Sequence, residues 1–125
     1  MPRKILVVED NLDMRELTHF YLKQEGFDVI TASDGREGLY LAQSEQPDLI
    51  LTDINMPNVD GISLVKELRA TSELKDIPII VFTSFGRDEI DSAILAGANR
   101  AIAKPTHFES LIDDINELLA ERKKP

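Results

Sequence analysis

The sequence contains no cysteine among its 125 residues. Thiol catalysis and zinc sites built on thiolates are therefore excluded. Long apolar runs are also missing, because none approaches the roughly 20 residues that a membrane-spanning helix needs. Positive charge is scarce: 14 Lys and Arg residues stand against 23 Asp and Glu residues, for a net charge of −9. That balance disfavours nucleic acid as a partner, since its phosphates would be repelled. We expect a cytoplasmic protein that binds neither nucleic acid nor membrane.

Four short apolar runs each end at a polar residue that could bind an ion or react. Runs of this length, separated by helical stretches, are typical of buried parallel strands. The runs and the residues that follow them are Ile5–Val8 before Glu9 and Asp10, Leu49–Thr52 before Asp53, Ile79–Phe82 before Thr83, and Ala101–Ala103 before Lys104. The polar residues should therefore lie at the carboxyl ends of strands, where an open α/β sheet forms its ligand crevice.

Strand and helix patterns alternate five times along the chain. The predicted strands are Lys4–Glu9, Phe27–Ala32, Asp48–Asp53, a run after Pro78, and Ala101–Ala103. Helical spacing predicts one apolar face for the first helix and one for the fourth, made of Met14, Leu17, Tyr21 and Leu22, and of Ile90, Ala93 and Ile94. We expect an α/β fold: a doubly wound, flavodoxin-like sheet of five parallel strands in the order 2-1-3-4-5, with five helices, as one domain over residues 1–125.

Glu9, Asp10 and Asp53 are predicted to form a metal site. Strands one and three are neighbours in this strand order, and neighbouring strands lie about 4.8 Å apart. Three carboxylates that close repel one another unless a cation joins them. Oxygen ligands without His or Cys favour a hard ion, so we expect Mg²⁺, with Mn²⁺ as the alternative.

The same crevice favours phosphoryl chemistry. A carboxylate can attack phosphorus and form an aspartyl phosphate, and Asp53 is the best candidate because it is central in the cluster. The transition state carries spread negative charge, which calls for a metal, a fixed cation and a hydrogen-bond donor. Lys104 could supply the cation and Thr83 the donor, since both follow neighbouring strands.

Several motifs together resemble the receiver domain of two-component response regulators, of the single-domain, chemotaxis-regulator-like kind. They are Glu9-Asp10, Asp53 with Met56-Pro57 and Asp60-Gly61, Thr83-Ser84, and Lys104-Pro105. The match covers essentially the whole chain in order and spacing. It implies that a sensor histidine kinase or a histidine phosphotransfer protein phosphorylates Asp53.

The resemblance also implies roles for the residues around Asp53. Glu9, Asp10, Asp53 and the backbone carbonyl of Asn55 would bind Mg²⁺, Glu9 through a water molecule. Thr83 and Lys104 would hold the phosphoryl group, and the bond from Lys104 to Pro105 would be cis. The domain would catalyse only its own phosphoryl transfer and autodephosphorylation.

The resemblance implies in addition that output leaves through the face made of the fourth helix, the fifth strand and the fifth helix. The receiving partner would be a downstream protein effector, and the chain would act as a monomer or as a phosphorylation-dependent dimer.

Ala101 and Phe85 occupy positions that matter in this family, the first for the switch and the second for the rate of autodephosphorylation. Ala101 stands where the family usually has Tyr or Phe, and alanine has no rotamer to switch. The aromatic part of the usual relay therefore cannot operate, and activation would either rest on backbone shifts in the loop from Thr83 to Asp88 or be weak. Phe85 occupies a position linked in this family to autodephosphorylation rate, and we predict that its ring shields the acyl phosphate from water.

Two other functions remain open at this point. A phosphatase of the haloacid dehalogenase type also uses a strand-end Asp, a Thr, a Lys and Mg²⁺. That family places a second Asp two residues after its nucleophile, where this chain has Asn55. The other alternative is a receiver-like scaffold that binds partners without being phosphorylated.

Overall fold

The computed structural model describes residues 2–56, 59–83, 86–104 and 107–123 of the chain, and the side chains up to residue 121. Strands and helices alternate as predicted. The elements are β1 (Lys4–Val8), α1 (Leu12–Gln24), β2 (Asp28–Ala32), α2 (Gly35–Glu45), β3 (Leu49–Asp53), α3 (Gly61–Ala70), β4 (Ile79–Thr83), α4 (Arg87–Ala96), β5 (Arg100–Ala103) and α5 (Phe108–Lys123).

The five strands form one parallel sheet in the order β2-β1-β3-β4-β5. This confirms the predicted fold, including the position of β2 at an edge. All residues of β3 and β4 are buried, because both strands lie inside the sheet with helices over both faces.

The apolar core has two halves, one on each face of the sheet. Successive strand residues point to opposite faces, so Leu6 and Val8 belong to one half and Ile5 and Val7 to the other. The half that contains Leu6 is covered by α2, α3 and α4, and the half that contains Ile5 is covered by α1 and α5. The sheet is therefore held from both sides, which fixes the edge where its strands end.

Some strand ends differ by one residue from the prediction. β2 begins at Asp28 rather than Phe27, because the Phe27 amide donates to the Leu22 carbonyl at the end of α1. β3 begins at Leu49 rather than Asp48, and β1 ends at Val8 rather than Glu9.

The predicted faces of α1 and α4 are partly wrong. Leu17 and Tyr21 are exposed on α1, whereas Thr18 and Leu22 are buried. The buried face of α1 thus contains Thr18 rather than Leu17 and Leu22 rather than Tyr21. Thr18 is polar, so the apolar pattern did not include it. Ile94 of α4 is exposed as well.

None of the helices in the described part of the chain has the length and apolar character needed to cross a membrane.

Candidate functional site

Sheet register brings Glu9 and Asp53 side by side. Val8 of β1 lies opposite Thr52 of β3, so the next residue of each strand reaches the same edge of the sheet. Both carboxylates are buried, with exposed fractions of 5% for Glu9 and 7% for Asp53. Each has one oxygen bound by a backbone amide: Asn11 donates to Glu9 at 3.2 Å, and Ile54 donates to Asp53 at 2.8 Å.

Asp10 completes a cluster of three carboxylates. One oxygen from each of Glu9, Asp10 and Asp53 lies within 4.8 Å of the others. Asp10 is exposed whereas its two neighbours are buried, so the cluster opens to solvent on one side. A small ion or a phosphoryl donor could enter from that side.

Lys104 places its charge between the two buried carboxylates. Its Nζ donates to Oδ2 of Asp53 at 3.1 Å and to Oε1 of Glu9 at 3.2 Å. The backbone supports this arrangement, because the Lys104 amide donates to the Thr83 carbonyl at 2.7 Å, just beyond the pairing of β4 with β5. The lysine stem thus spans from β5 across β4 to the end of β3.

The charges of the cluster shift the pKa values of its members. Burial, and next the neighbouring Asp53 carboxylate, raise the pKa of Glu9 to about 7, although Lys104 opposes them. Burial alone would lower the pKa of Lys104, but the carboxylates of Asp53 and Glu9 outweigh it and hold that pKa above its usual value. The site therefore contains more negative charge than Lys104 alone can balance.

The Thr83 hydroxyl contacts a residue that sequence reasoning missed. Its Oγ1 donates to Oε2 of Glu89, in the first turn of α4, at 2.6 Å. Thr83 itself is buried at the end of β4, where it was predicted. The available signal was an acidic residue six positions after Thr83, but such a residue by default indicates only a favourable charge at a helix N-terminus.

The remaining predicted residues are located only in part. Asn55 lies two residues beyond the end of β3 and is exposed. Phe85 and Pro105 lie outside the described residues, so the predicted shielding ring and cis bond are not addressed by the structure.

The three carboxylates suit a hard divalent cation. Their donor atoms are all oxygen, they lie within one coordination sphere, and Lys104 contacts two of the three, Glu9 and Asp53. Magnesium prefers such oxygen ligands and keeps several waters, which the exposed side at Asp10 could admit.

A cavity of about 80 Å³ adjoins the cluster. Glu9, Asp53 and Lys104 line it on one side, with Phe82 and Phe108 among its apolar walls. Pockets that enclose whole small-molecule ligands usually measure about 300–1,000 Å³. The cavity is therefore too small to enclose an organic substrate.

The sequence matches the family model of the response regulator receiver domain over residues 5–116. Among curated proteins, it is 38% identical over 125 residues to a probable transcriptional regulator, ycf27, of Cyanophora paradoxa, covering 98% of this chain and 51% of that protein. It is 34% identical over 122 residues to the polar-differentiation response regulator DivK of Brucella anthropi, covering 97% of this chain and 99% of DivK. The chain thus spans about half the length of the first relative and nearly all of the second.

Solved structures agree with the sequence match. The chemotaxis response regulator CheY4 of Vibrio cholerae superposes with a TM-score of 0.88 at 32% identity, over 94% of this chain and 99% of that chain. The fold and the order of its elements are therefore similar to those of a known signalling protein.

Proposed function

This chain belongs to the family of response regulator receiver domains, and on that premise we propose that it is a phosphorylation-activated module of a two-component phosphorelay. Asp53 would accept the phosphoryl group from a sensor histidine kinase or a histidine phosphotransfer protein. A carboxylate oxygen of Asp53 forms the new bond to phosphorus while the bond from phosphorus to the donor nitrogen breaks. The product is an aspartyl phosphate.

The observation that carries this proposal is the clustering of Glu9, Asp10 and Asp53, with Lys104 in contact with Glu9 and Asp53. In phosphoryl transfer the protein contributes mainly position and charge, because negative charge spreads over the transferred oxygens. Lys104 already contacts Asp53, so its ammonium would lie against those oxygens. Thr83, at the end of the next strand, is the candidate donor.

Magnesium is the proposed cofactor, with manganese as an alternative. Glu9, Asp10, Asp53 and the backbone carbonyl of Asn55 would hold it, and the ion would neutralise charge on the phosphoryl oxygens. Glu9 must be deprotonated to serve as a ligand. The cavity of about 80 Å³ supports transfer of a group from an external donor rather than binding of a whole substrate.

The output surface is proposed to be the face formed by α4, β5 and α5. Phosphorylation adds about −1.5 to −2 charges and three strong acceptor oxygens near the ends of β4 and β5. Such a change can bias the adjoining surface between two arrangements and so alter binding to a downstream effector or to a second copy. We place this activity in the cytoplasm.

The test is the intact mass of the protein after incubation with acetyl phosphate and Mg²⁺. We expect a gain of one phosphoryl group, about 80 Da, that is lost in Asp53→Asn and in EDTA. Asp48→Asn is a matched control, because Asp48 is an aspartate that directly precedes β3 and so lies at the other end of the strand from Asp53.

Two outcomes would contradict the proposal. A folded wild-type protein that binds Mg²⁺ but takes up neither phosphate nor beryllofluoride, a phosphoryl mimic, would favour the phosphate-independent scaffold. Sustained turnover of a generic phosphomonoester, dependent on Asp53, would favour the phosphatase.

A further inference from the structure

Helix α4 is held to the rest of the protein by little apolar packing. Of its ten residues, all of which the structure describes, only Ala93 is buried. Ile94 and Leu95 are exposed. Because burial contributes so little here, polar contacts at the two ends should decide the position of this helix.

The carboxyl end of α4 is anchored by Arg69 of α3. The Arg69 guanidinium donates to the Gly97 carbonyl at 2.9 Å and to Oδ1 of Asn99 at 2.8 Å. The same Asn99 oxygen accepts the amide of Ile79 at the start of β4. This end is therefore tied to both α3 and the sheet.

The amino end of α4 has a different attachment. Its N-cap is Gly86, which has no side chain to cap the helix. Glu89, one turn later, accepts the Thr83 hydroxyl at 2.6 Å. This contact connects the first turn of α4 directly to the end of β4, next to Asp53.

We propose that Glu89 is a positioning residue. In the unphosphorylated protein it accepts the Thr83 hydroxyl and so ties the first turn of α4 to the end of β4, and this tie is lost when Asp53 is phosphorylated. The inference rests on the proposed function. A hydroxyl has one proton and can donate one full hydrogen bond. If that proton turns to a phosphoryl oxygen, Glu89 loses it.

Charge acts in the same direction. The phosphoryl group brings added negative charge to the strand ends, and the Glu89 carboxylate is repelled by it once the shared proton is gone. The carboxyl end of α4 keeps its Arg69 anchor, so the helix would pivot about that end. This route also accounts for Ala101, because a switch through Glu89 needs no aromatic rotamer on β5.

The test is a double-mutant cycle on beryllofluoride binding in the presence of Mg²⁺. Removing the competing acceptor with Glu89→Ala should tighten binding about tenfold, since hydrogen bonds to charged groups are among the strong ones. In a Thr83→Ala background the same substitution should change binding by no more than about twofold. Glu89→Gln keeps an acceptor oxygen without the charge and should lie in between.

The matched control is Asp88→Ala. Asp88 is exposed in the same first turn and has the same charge, so its removal tests the effect of charge on the helix alone. If Asp88→Ala tightened beryllofluoride binding tenfold, or if Glu89→Ala did so in the Thr83→Ala background, a general charge effect would explain the result. Either outcome would overturn the inference. No tightening by Glu89→Ala in the wild-type background would also overturn it.

A second measurement does not depend on phosphorylation. Amide hydrogen exchange in the first two turns of α4 should speed up in Glu89→Ala and in Thr83→Ala, and no further in the double variant. If the increases in exchange rate from Glu89→Ala and Thr83→Ala added up in the double variant, the inference would be overturned. This result can be read even if Thr83→Ala binds beryllofluoride too weakly to measure. If wild type does not bind beryllofluoride at all, the proposed function fails, whereas this exchange measurement still decides the role of the Thr83–Glu89 contact.

Discussion

At the scale of single residues, the site brings three carboxyl groups together, and one ammonium group, that of Lys104, contacts two of them. Two carboxylates whose oxygens lie up to 4.8 Å apart repel each other by roughly 3 kcal/mol at an effective dielectric constant of about 20. A typical hydrogen bond contributes only about 1 kcal/mol. The amide bonds to Glu9 and Asp53 cannot offset this repulsion by themselves, and Lys104 supplies one positive charge for three carboxyl groups. A second cation should therefore stabilise the protein further.

The first prediction concerns the stability of the metal-free protein against pH. The pKa of Glu9 is raised from 4.5 to about 7 in the folded state, so the folded protein keeps a proton that the unfolded chain has lost. Stability from Glu9 is therefore fully present below about pH 4.5 and is lost as the pH rises to about 7. Glu9→Gln should remove this loss, which we estimate on the order of 3 kcal/mol.

Urea unfolding in EDTA at several pH values measures the difference in stability between wild type and Glu9→Gln. Excess Mg²⁺ should reduce the loss in wild type, because the ion favours deprotonated Glu9. Parallel stability curves for wild type and Glu9→Gln in EDTA would contradict the prediction.

The second prediction concerns competition between Lys104 and Mg²⁺. The ammonium contacts the same two carboxylates that would bind the ion. Lys104→Met keeps much of the stem but removes the charge, so we expect Mg²⁺ to bind several-fold more tightly while uptake of phosphate falls. Lys66→Met, which changes the net charge equally at an exposed site on α3, should change neither. Weaker Mg²⁺ binding in Lys104→Met would count against competition.

At the scale of secondary-structure elements, the start of α3 buttresses the end of β3. The Gly61 amide donates to the Ile54 carbonyl at 2.8 Å. A Cβ atom at Gly61 would lie 2.2 Å from the Asp53 carbonyl oxygen, far closer than van der Waals contact. Only glycine lets the helix approach the strand this closely, and the helix in turn fixes the backbone at Asp53.

The third prediction follows from that contact. Gly61→Ala should destabilise the protein by about 2 kcal/mol or more, because backbone rather than a flexible side chain must move. Mg²⁺ binding, measured by calorimetry, should also weaken as Asp53 shifts. Gly86→Ala is the control, since no atom of the residues that the structure describes would lie within 4 Å of a Cβ atom at Gly86, and it should stay within about 1 kcal/mol of wild type. Equal stability of the two variants would refute the close-approach argument.

At the scale of the whole molecule, the net charge of −9 favours uptake of cations, and a cation held by the carboxylate cluster would couple to folding. An ion that binds only the folded state stabilises it by about 2.7 kcal/mol at a concentration 100 times its Kd. The carboxylates converge only after β1 and β3 have paired, so the unfolded chain has no equivalent site. Magnesium should therefore raise global stability and not merely order the cluster.

The fourth prediction separates the metal from the fold. Asp10 is exposed, so Asp10→Asn should leave stability in EDTA unchanged or slightly higher. The gain in melting temperature on adding Mg²⁺ should largely disappear. Asp113→Asn, an exposed aspartate on α5, should keep the whole gain. A full magnesium effect in Asp10→Asn would exclude this carboxylate as a ligand.

Element type, element order and strand order were predictable because they depend on short-range patterns. Apolar runs of strand length separated by helical spacing specify an alternating α/β chain, and parallel strands of that kind allow few topologies. The residues at strand ends could be named in advance for the same reason. The pairing of Val8 with Thr52 then brings Glu9 beside Asp53.

Contacts between side chains from distant segments required the tertiary structure. Sequence spacing could not reveal that the Thr83 hydroxyl turns to Glu89, that Tyr21 stacks on Phe108 instead of entering the core, or that burial raises the pKa of Glu9. Periodicity reports which residues share a face of one helix. Rotamers, burial and local charge depend on the neighbour packed against that face, and that neighbour is chosen only when the whole chain folds.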